Sequence, residues 1–255
     1  MGDCIRAGLI AMALAALLPG SLVAAEQSTE RDSGAVSDAT RERITEALQE
    51  LDERLVPDRI EATRLPEIYR VQVDGQIAHI SGDGRYLIQG SIRDLETGAS
   101  LSDNARAGVR RELLADHGED NMIVYRPDDE EVRHTVTVFT DIDCPYCRRF
   151  HENMDGYLER GIAVRYVQIP RAGEGSESYD KAVSVWCADD RNAAMDRAKA
   201  GRELTSRDCD NPVGDQLELA RTLGVQATPT IVTEDGTMHP GFVAPDELLS
   251  RLEDS

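Results

Sequence analysis

The sequence predicts a small α+β domain followed by a larger α/β domain that is built around a Cys-x-x-Cys motif. Three observations support this fold class. A β-rich run at residues 136–140 leads into Cys144-Pro145-Tyr146-Cys147, and a helical pattern follows. Upstream, alternating apolar residues separated by glycine turns indicate β-hairpins. Downstream, residues 176–224 are mostly helical, which we interpret as a helical insertion into the α/β domain.

The N-terminus has the three parts of an export signal. Arg6 supplies a positive charge, residues 7–18 are apolar, and Val23-Ala24-Ala25 is a small-residue cleavage site. We therefore expect a signal peptide over residues 1–25, cleavage before Glu26 and a periplasmic mature protein. An uncleaved membrane anchor is the alternative, although the apolar run is short for a membrane span.

The composition argues against several classes of function. The net charge is −20 at pH 7, so a nucleic-acid partner is not expected. Loss of the signal peptide removes Cys4, and the remaining four of the five cysteines suit an oxidising compartment. The sequence has no phosphate-binding loop and no metal-ligand pattern, so neither a cofactor nor a metal is expected.

The first domain is predicted to begin after a disordered tether at residues 26–39, which are polar and charged. A helical stripe follows at residues 40–56. Strands are then predicted at residues 68–73, 77–80 and 86–95. A domain of this size, residues 40–101, buries little apolar surface, so pairing with a second copy would stabilise it. A monomeric domain packed on its neighbour is the alternative.

The pattern at residues 102–117 predicts a connecting helix, with Ser102 or Asp103 as its cap. This helix lies inside a predicted linker of residues 102–120. The second domain is then residues 121–255. Its predicted elements are a helix from the Cys-x-x-Cys to about residue 160 with Gly161 as C-cap, a strand at 162–169, a hairpin at 230–239 and a helix at 245–252.

The order strand, Cys-x-x-Cys, helix has a chemical consequence. A helix N-terminus offers unpaired N–H groups and the positive end of the dipole, which stabilise a thiolate at Cys144. Pro145 suits the first helical turn. Cys147 lies one turn later and can resolve a mixed disulfide formed by Cys144. This arrangement is typical of a thioredoxin-like redox motif.

Two alternatives compete with redox chemistry at this motif. Cys-x-x-Cys is also half of a zinc site, but the remaining cysteines, Cys187 and Cys209, are far apart in sequence. A purely structural disulfide would close a very short loop and remove little chain entropy.

Residues near the motif add expectations about the site. In a thioredoxin-like fold Thr228-Pro229, at the mouth of an apolar run, would be a cis-proline that faces the cysteines. Asp141 and Asp143 precede Cys144, and their negative charge should raise the pKa of its thiol. Tyr146 is expected to be an exposed substrate contact. His151 is expected to be a solvated side chain, with tuning of the thiols as the alternative.

Several segments together resemble the DsbC/DsbG family of periplasmic thiol:disulfide isomerases. They run from about residue 40 to the C-terminus and include residues 83–90, 121–125, 137–141, 144–147, 161–166, 186–188, Cys209-Asp210 and Thr228-Pro229. The resemblance implies a cystatin-like dimerisation domain at residues 40–101, a thioredoxin-like catalytic domain and a V-shaped homodimer. It also implies a membrane thiol reductase of the DsbD type as partner, and misfolded or mis-oxidised exported proteins as substrates.

Cys187 and Cys209 both fall within the helical insertion, and we expect them to form a structural disulfide. Closing a loop of about twenty residues stabilises a fold by roughly 3 kcal/mol in the chain-entropy model. A second redox pair is the alternative, which the missing Cys-x-x-Cys spacing disfavours.

The dipeptide between the active-site cysteines does not by itself distinguish an isomerase from a reductase. Pro145-Tyr146 is the DsbG-like pair, whereas DsbC usually has Gly-Tyr. A disulfide isomerase or reductase acting through Cys144 and Cys147 is the leading hypothesis. The alternatives are a DsbG-like reductase of sulfenylated cysteines and a holdase chaperone for unfolded periplasmic proteins.

Overall fold

The computed structural model of this protein describes residues 35–127 and 131–254. The predicted signal peptide and most of the predicted tether lie outside these residues. Within the described residues, no helix has both the length and the apolar character needed to cross a bilayer.

The first domain is a helix packed on an antiparallel four-stranded meander. Its core consists of buried side chains from the residue before the helix cap, from the helix and from the three longer strands: Val36, Ile44, Leu48, Ile60, Val71 and Ile80. The elements are α1 (Asp38–Leu51), β1 (Arg59–Ala62), β2 (Ile68–Val73), β3 (Gln76–Ser81) and β4 (Leu87–Ile88), and the strand order follows the chain.

The boundaries of this domain differ from those predicted. The tether ends two residues early, because the Ser37 side chain accepts a hydrogen bond from the Thr40 N–H and caps a helix that starts at Asp38. The helix ends at Leu51 instead of continuing to residue 56. Strand β1 was not predicted, since Ile60 is its only buried residue and its neighbours do not alternate clearly.

The third predicted strand is much shorter than residues 86–95. Only Leu87 and Ile88 pair with β3, and both are more than one-third exposed. Leu95, at the end of the predicted strand, is 93% exposed and lies in a loop. The apolar side chains of this segment therefore do not mark a buried strand but an exposed edge of the sheet.

Helix α2 (Leu101–His117) connects the two sheets. Its cap is Ser100, which accepts from the Asp103 N–H, and not Ser102 or Asp103 as predicted. Ser102 is fully buried, and its hydroxyl accepts from the Ile92 N–H. A 3₁₀ turn (Glu119–Asn121) follows the helix.

The second sheet has five strands in the order β5-β7-β6-β8-β9. Strands β6 and β7 are parallel, and every other pairing is antiparallel. These strands are β5 (Ile123–Tyr125), β6 (His134–Thr140), β7 (Ile162–Gln168), β8 (Thr230–Val232) and β9 (Met238–Pro240).

Helices cover both faces of this sheet. Val136 and Val138 of β6 belong to the larger core cluster, with α3 (Pro145–Glu152), α4 (Met154–Leu158), α5 (Glu177–Trp186), α6 (Arg191–Lys199) and α8 (Pro245–Glu253). Phe139 lies on the opposite face of the sheet, because successive residues of a strand alternate between its faces. It belongs to a second cluster with α7 (Val213–Thr222) and the end of α2.

The helix after Cys144 is shorter than predicted, because it breaks at Asn153. The side chain of Asn153 donates to the Arg149 carbonyl at 2.8 Å, and its backbone leaves the helical region at φ −100° and ψ 14°. Gly161 ends the segment at φ 73°, as expected of a C-cap glycine. A Cβ there would lie 2.5 Å from the Glu131 carbonyl oxygen.

Candidate active site

Cys144 is the N-cap residue of α3, directly after the turn that leaves β6. Pro145 occupies the first helical turn. The Cys144 Sγ donates a hydrogen bond to the Thr228 carbonyl oxygen at 3.3 Å. The Thr228–Pro229 peptide bond is cis, as the sequence predicted. Two segments that are 84 residues apart in sequence therefore meet at this sulfur.

Both active-site cysteines are free thiols in this structure. Cys144 is 2% exposed and Cys147 is 0% exposed, whereas Tyr146 between them is 61% exposed. The site therefore presents an aromatic ring to solvent and keeps its second sulfur inside the core.

The pKa of the Cys144 thiol lies below its ordinary value. Burial acts to raise this pKa, but hydrogen bonds that stabilise the thiolate outweigh it. They come first from the Thr228 side chain and then from Cys147 and the Tyr146 backbone. The Thr228 hydroxyl is buried and has no other partner within the described residues, so it is available to the thiolate.

The pKa of Cys144 is lowered although Asp141 and Asp143 precede it, contrary to the prediction. The Asp141 carboxylate is buried and accepts from the Asp143 N–H, the Arg171 N–H and the Arg171 guanidinium, at 2.8–3.1 Å. Asp143 pairs with Arg148 at 3.1 Å and with Lys181 at 3.2 Å. Basic side chains therefore compensate the charge of both carboxylates. Arg171 and Lys181 are distant from the motif in sequence, and Arg148 directly follows it.

The pKa of Cys147 is raised, chiefly because this thiol is buried. Three groups oppose that effect: the charge of Lys199, the backbone N–H of Asp141 and the Thr140 hydroxyl. The Asp141 nitrogen lies 3.5 Å from the Cys147 Sγ. The two thiols therefore differ in acidity, with Cys144 the more acidic.

His151 is not the solvated residue that the sequence suggested. Its side chain is 11% exposed, and its ring nitrogens lie 3.2 Å from the Tyr166 hydroxyl and 3.0 Å from an Asp196 carboxylate oxygen. Burial, and then the nearby charge of Lys199, lowers the pKa of this histidine.

Lys199, at the end of α6, was assigned no role from the sequence, yet it lies under the active site. It is 4% exposed, and its Nζ donates to Thr140 and to the Asp141 carbonyl. One signal was available in the sequence: only Lys181 and Lys199 of the 28 basic residues are lysines.

Cys187 and Cys209 form a disulfide, with their Cα atoms 5.8 Å apart. Cys187 is the C-cap residue of α5, and Cys209 lies in the irregular segment before α7. The bond therefore fastens that segment to the end of α5.

The fold and this site define a thioredoxin-like thiol–disulfide oxidoreductase. The profile described as thioredoxin-like domain matches residues 120–255, and that described as disulfide bond isomerase protein N-terminal domain matches residues 24–103. The chain belongs to the DsbC/DsbG-like family of thiol:disulfide isomerases.

The relatives that this chain matches agree with this assignment. The chain is 38% identical to the thiol:disulfide interchange protein DsbC of Dickeya dadantii, over 72% of this chain and 75% of that protein. It is 36% identical to DsbC of Escherichia coli K12, over 72% and 76%, and 33% identical to DsbC of Haemophilus influenzae, over 77% and 83%. The predicted family, fold class and enzyme activity are therefore confirmed, and the chaperone and sulfenic-acid alternatives are not favoured.

Proposed function

We propose that Cys144 is the attacking thiolate of this isomerase and Cys147 the resolving thiol. Cys144 attacks a non-native disulfide, forms a mixed disulfide with one substrate sulfur and releases the other as a thiolate. The mixed disulfide then rearranges within the substrate, or Cys147 attacks it. In the second case the Cys144–Cys147 bond forms, the Cys144–substrate bond breaks and the substrate sulfur leaves as a thiolate that takes up a proton.

One observation carries the assignment of roles: only Cys144 sits at the start of α3, where its pKa is lowered, whereas Cys147 is fully buried with a raised pKa. The more acidic thiol at a helix N-terminus is the better nucleophile near neutral pH.

Pro145, Tyr146, Thr228 and Pro229 support this site. Beside the Thr228–Pro229 bond lies a concave surface with an apolar part, formed by Ile169, Pro170, Val225, Ala227 and Thr228. An extended substrate segment placed there would pass the Cys144 sulfur, and the exposed Tyr146 ring would contact it from the other side. The Cys187–Cys209 bond has a structural role in this proposal.

The first domain supports a homodimer. Strand β4 ends the four-stranded sheet, and the apolar side chains of Tyr86, Leu87 and Ile88 are exposed there. An open edge with exposed apolar side chains favours strand pairing, and a two-fold contact uses such an edge once and closes. Residues 40–101 would then be the dimerisation domain, 102–120 the linker and 121–255 the catalytic domain.

The cellular setting follows from the export signal and the chemistry. The protein acts in the periplasm, after cleavage before Glu26, on misfolded or mis-oxidised exported proteins. Each substrate reduction leaves the Cys144–Cys147 pair oxidised. A membrane thiol reductase of the DsbD type would return it to the dithiol.

The roles of the two thiols are tested by trapping. Cys147→Ser should accumulate mixed disulfides with periplasmic proteins, because Cys144 still attacks and nothing resolves the product. Cys144→Ser should accumulate none. Non-reducing electrophoresis of acid-quenched cells, with the double substitution as control, reads out both variants. Trapping by Cys144→Ser and not by Cys147→Ser would reverse the assignment.

A further inference from the structure

The chain uses lysine very sparingly, and one of its two lysines is buried beside the active site. The sequence contains 26 arginines, among 28 basic residues, and two lysines. Lys181 pairs with Asp143 and Glu177 near the surface. Lys199 instead is 4% exposed. An arginine stays protonated in proteins, whereas a buried lysine can shift its pKa, so the two residues are not equivalent at such a position.

The contacts of Lys199 are unusual for a buried cation. Its Nζ donates to the Thr140 hydroxyl oxygen at 2.6 Å and to the Asp141 carbonyl oxygen at 2.9 Å. It lies 5.6 Å from the centroid of the buried Tyr166 ring. Among the residues that the structure describes, Lys199 forms no ion pair with a carboxylate. Buried ammonium groups are costly without a directly paired negative partner. The Asp141 carboxylate acts on Lys199 through its charge, but it forms its ion pair with Arg171.

A second negative group, the Cys147 thiolate, is linked to Lys199 through the Thr140 hydroxyl. Because Thr140 accepts from Lys199, its own hydroxyl proton is free to point at the Cys147 sulfur, with which it interacts. The Asp141 N–H points at the same sulfur, at 3.5 Å. Lys199, Thr140 and this N–H thus form a donor set aimed at Cys147.

We propose that Lys199 is a positioning residue for the second half of the reaction: through the Thr140 hydroxyl, its buried ammonium stabilises the thiolate of Cys147 that resolves the mixed disulfide. This inference rests on the proposed role of Cys147. The Cys147 thiol gives its proton to solvent, the thiolate attacks the Cys144 sulfur, and the substrate sulfur leaves with the electron pair of the broken bond and takes a proton from solvent. No further oxidant or reductant is required.

The directions of the pKa shifts of Lys199 and Cys147 agree with this geometry. Burial lowers the pKa of Lys199 to about 8, against an upward effect of Cys147, Asp141 and Cys144. Lys199 in turn is the first of the groups that lower the pKa of Cys147. The titratable or charged groups that face Lys199 are Cys144, Cys147, Asp141, Arg148, His151 and the Tyr166 ring.

The unaltered protein offers a direct test, because isotope-labelled lysine gives only two side-chain signals. Their pH titration is followed by NMR in the dithiol and disulfide forms. Oxidation removes both thiolates, which raise the pKa of Lys199, so this pKa should fall on oxidation. The partly exposed Lys181, which pairs with Asp143 and Glu177, should change less. An equal Lys199 pKa in the two forms would overturn the proposal.

A second test reads the thiol itself. In a Cys144→Ser background, the ultraviolet absorbance of the thiolate reports the titration of Cys147 alone. Lys199→Met should raise the Cys147 pKa by about one unit or more, so that about tenfold less thiolate is present at neutral pH. Thr140→Val, which keeps the shape and removes the hydroxyl, should shift it in the same direction.

Arg197→Met is the matched control, since it removes a cation from the exposed side of the same helix. It should leave the Cys147 titration unchanged.

With both active-site cysteines present, Lys199→Met should move the pH profile of mixed-disulfide resolution upward by the same amount. The first attack by Cys144 should be much less affected. A folded Lys199→Met variant with the parental Cys147 titration would contradict the proposal. Should that variant not fold, the lysine titration decides. Failure of Cys147→Ser to trap mixed disulfides would instead contradict the proposed role of Cys147, independently of the Lys199 measurements.

Discussion

At the scale of the residue, the acidity of Cys144 depends on a side chain from a distant segment. The buried Thr228 hydroxyl has no partner among the described residues other than the thiolate that Cys144 can form. A buried hydroxyl without a partner is unfavourable. Ionisation of Cys144 is therefore favoured, because the thiolate gives the Thr228 hydroxyl an acceptor. The neighbouring carboxylates, which looked more important in the sequence, are already compensated.

Thr228→Val should therefore raise the pKa of Cys144. A hydrogen bond to a charged group contributes about 1.5 kcal/mol, which corresponds to about one pKa unit and tenfold less thiolate. The rate of Cys144 alkylation by iodoacetamide, measured against pH, reports this pKa. If the alkylation profile of the folded variant is identical to that of the parent, the hydroxyl has no such role.

The motif residues were predictable because their signals are local. Cys144 and Cys147 lie within four residues of each other after a β-rich run, and Thr228-Pro229 opens a strand. The environment of Lys199 was not predictable in this way. Its partner Thr140 is 59 residues distant in sequence, and only the packing of α6 against the end of β6 brings them together.

At the scale of the element, the disulfide between Cys187 and Cys209 holds the one long irregular segment of the helical insertion. Residues 201–210 contain no helix or strand, and the bond ties them to the C-terminus of α5. The sequence showed that this region is helical, but not that it is three separate helices. The breaks depend on local capping, such as that of α6 by Asp190, which accepts from the Ala193 N–H.

Replacement of both cysteines, Cys187→Ser with Cys209→Ser, should lower the free energy of unfolding by about 3 kcal/mol, because the closed loop restrains the unfolded chain. Denaturant unfolding measures the change. Thiol–disulfide exchange by the folded variant should match that of the parent. A lower exchange rate at a temperature where the variant is fully folded would argue for a redox role of this pair.

At the scale of the whole molecule, the edge strand β4 is the feature that the proposed dimer depends on. Leu87 and Ile88 are about 40% exposed on a strand with only one neighbour, β3, within the described residues. The sequence identified this apolar run but overestimated its length, because a period-two pattern does not distinguish a buried strand from an exposed edge.

A double substitution at that edge, Leu87→Asp with Ile88→Asp, should convert the full-length protein to a monomer at micromolar concentration. Charges on the edge repel and resist strand pairing. Sedimentation gives the mass of the assembly. The monomer should still reduce a small-molecule disulfide but lose most of its isomerisation of a scrambled multi-disulfide protein.

Leu51→Asp is the matched control, since Leu51 is 68% exposed and is the last residue of α1. It should leave the assembly intact. A parent protein that already sediments as a monomer, or a monomeric variant that isomerises as well as the parent, would disprove this account of the first domain.

The contacts of α2 have a mechanical consequence. Arg110 and Arg111 donate to the Gly236 and Asp235 carbonyls at 3.0 and 2.7 Å, and Gln76 donates to the Thr222 carbonyl at 2.6 Å. The 17 residues of this helix rise about 26 Å, and the two arginine contacts hold it against the catalytic domain, while the Gln76 contact joins β3 to the end of α7. We expect a helix held in this way to act as a rigid spacer between the two domains and not as a hinge. In a two-fold dimer it would fix the distance between the two Cys144 sulfurs. The size of a substrate protein would then decide whether it contacts one active site or both.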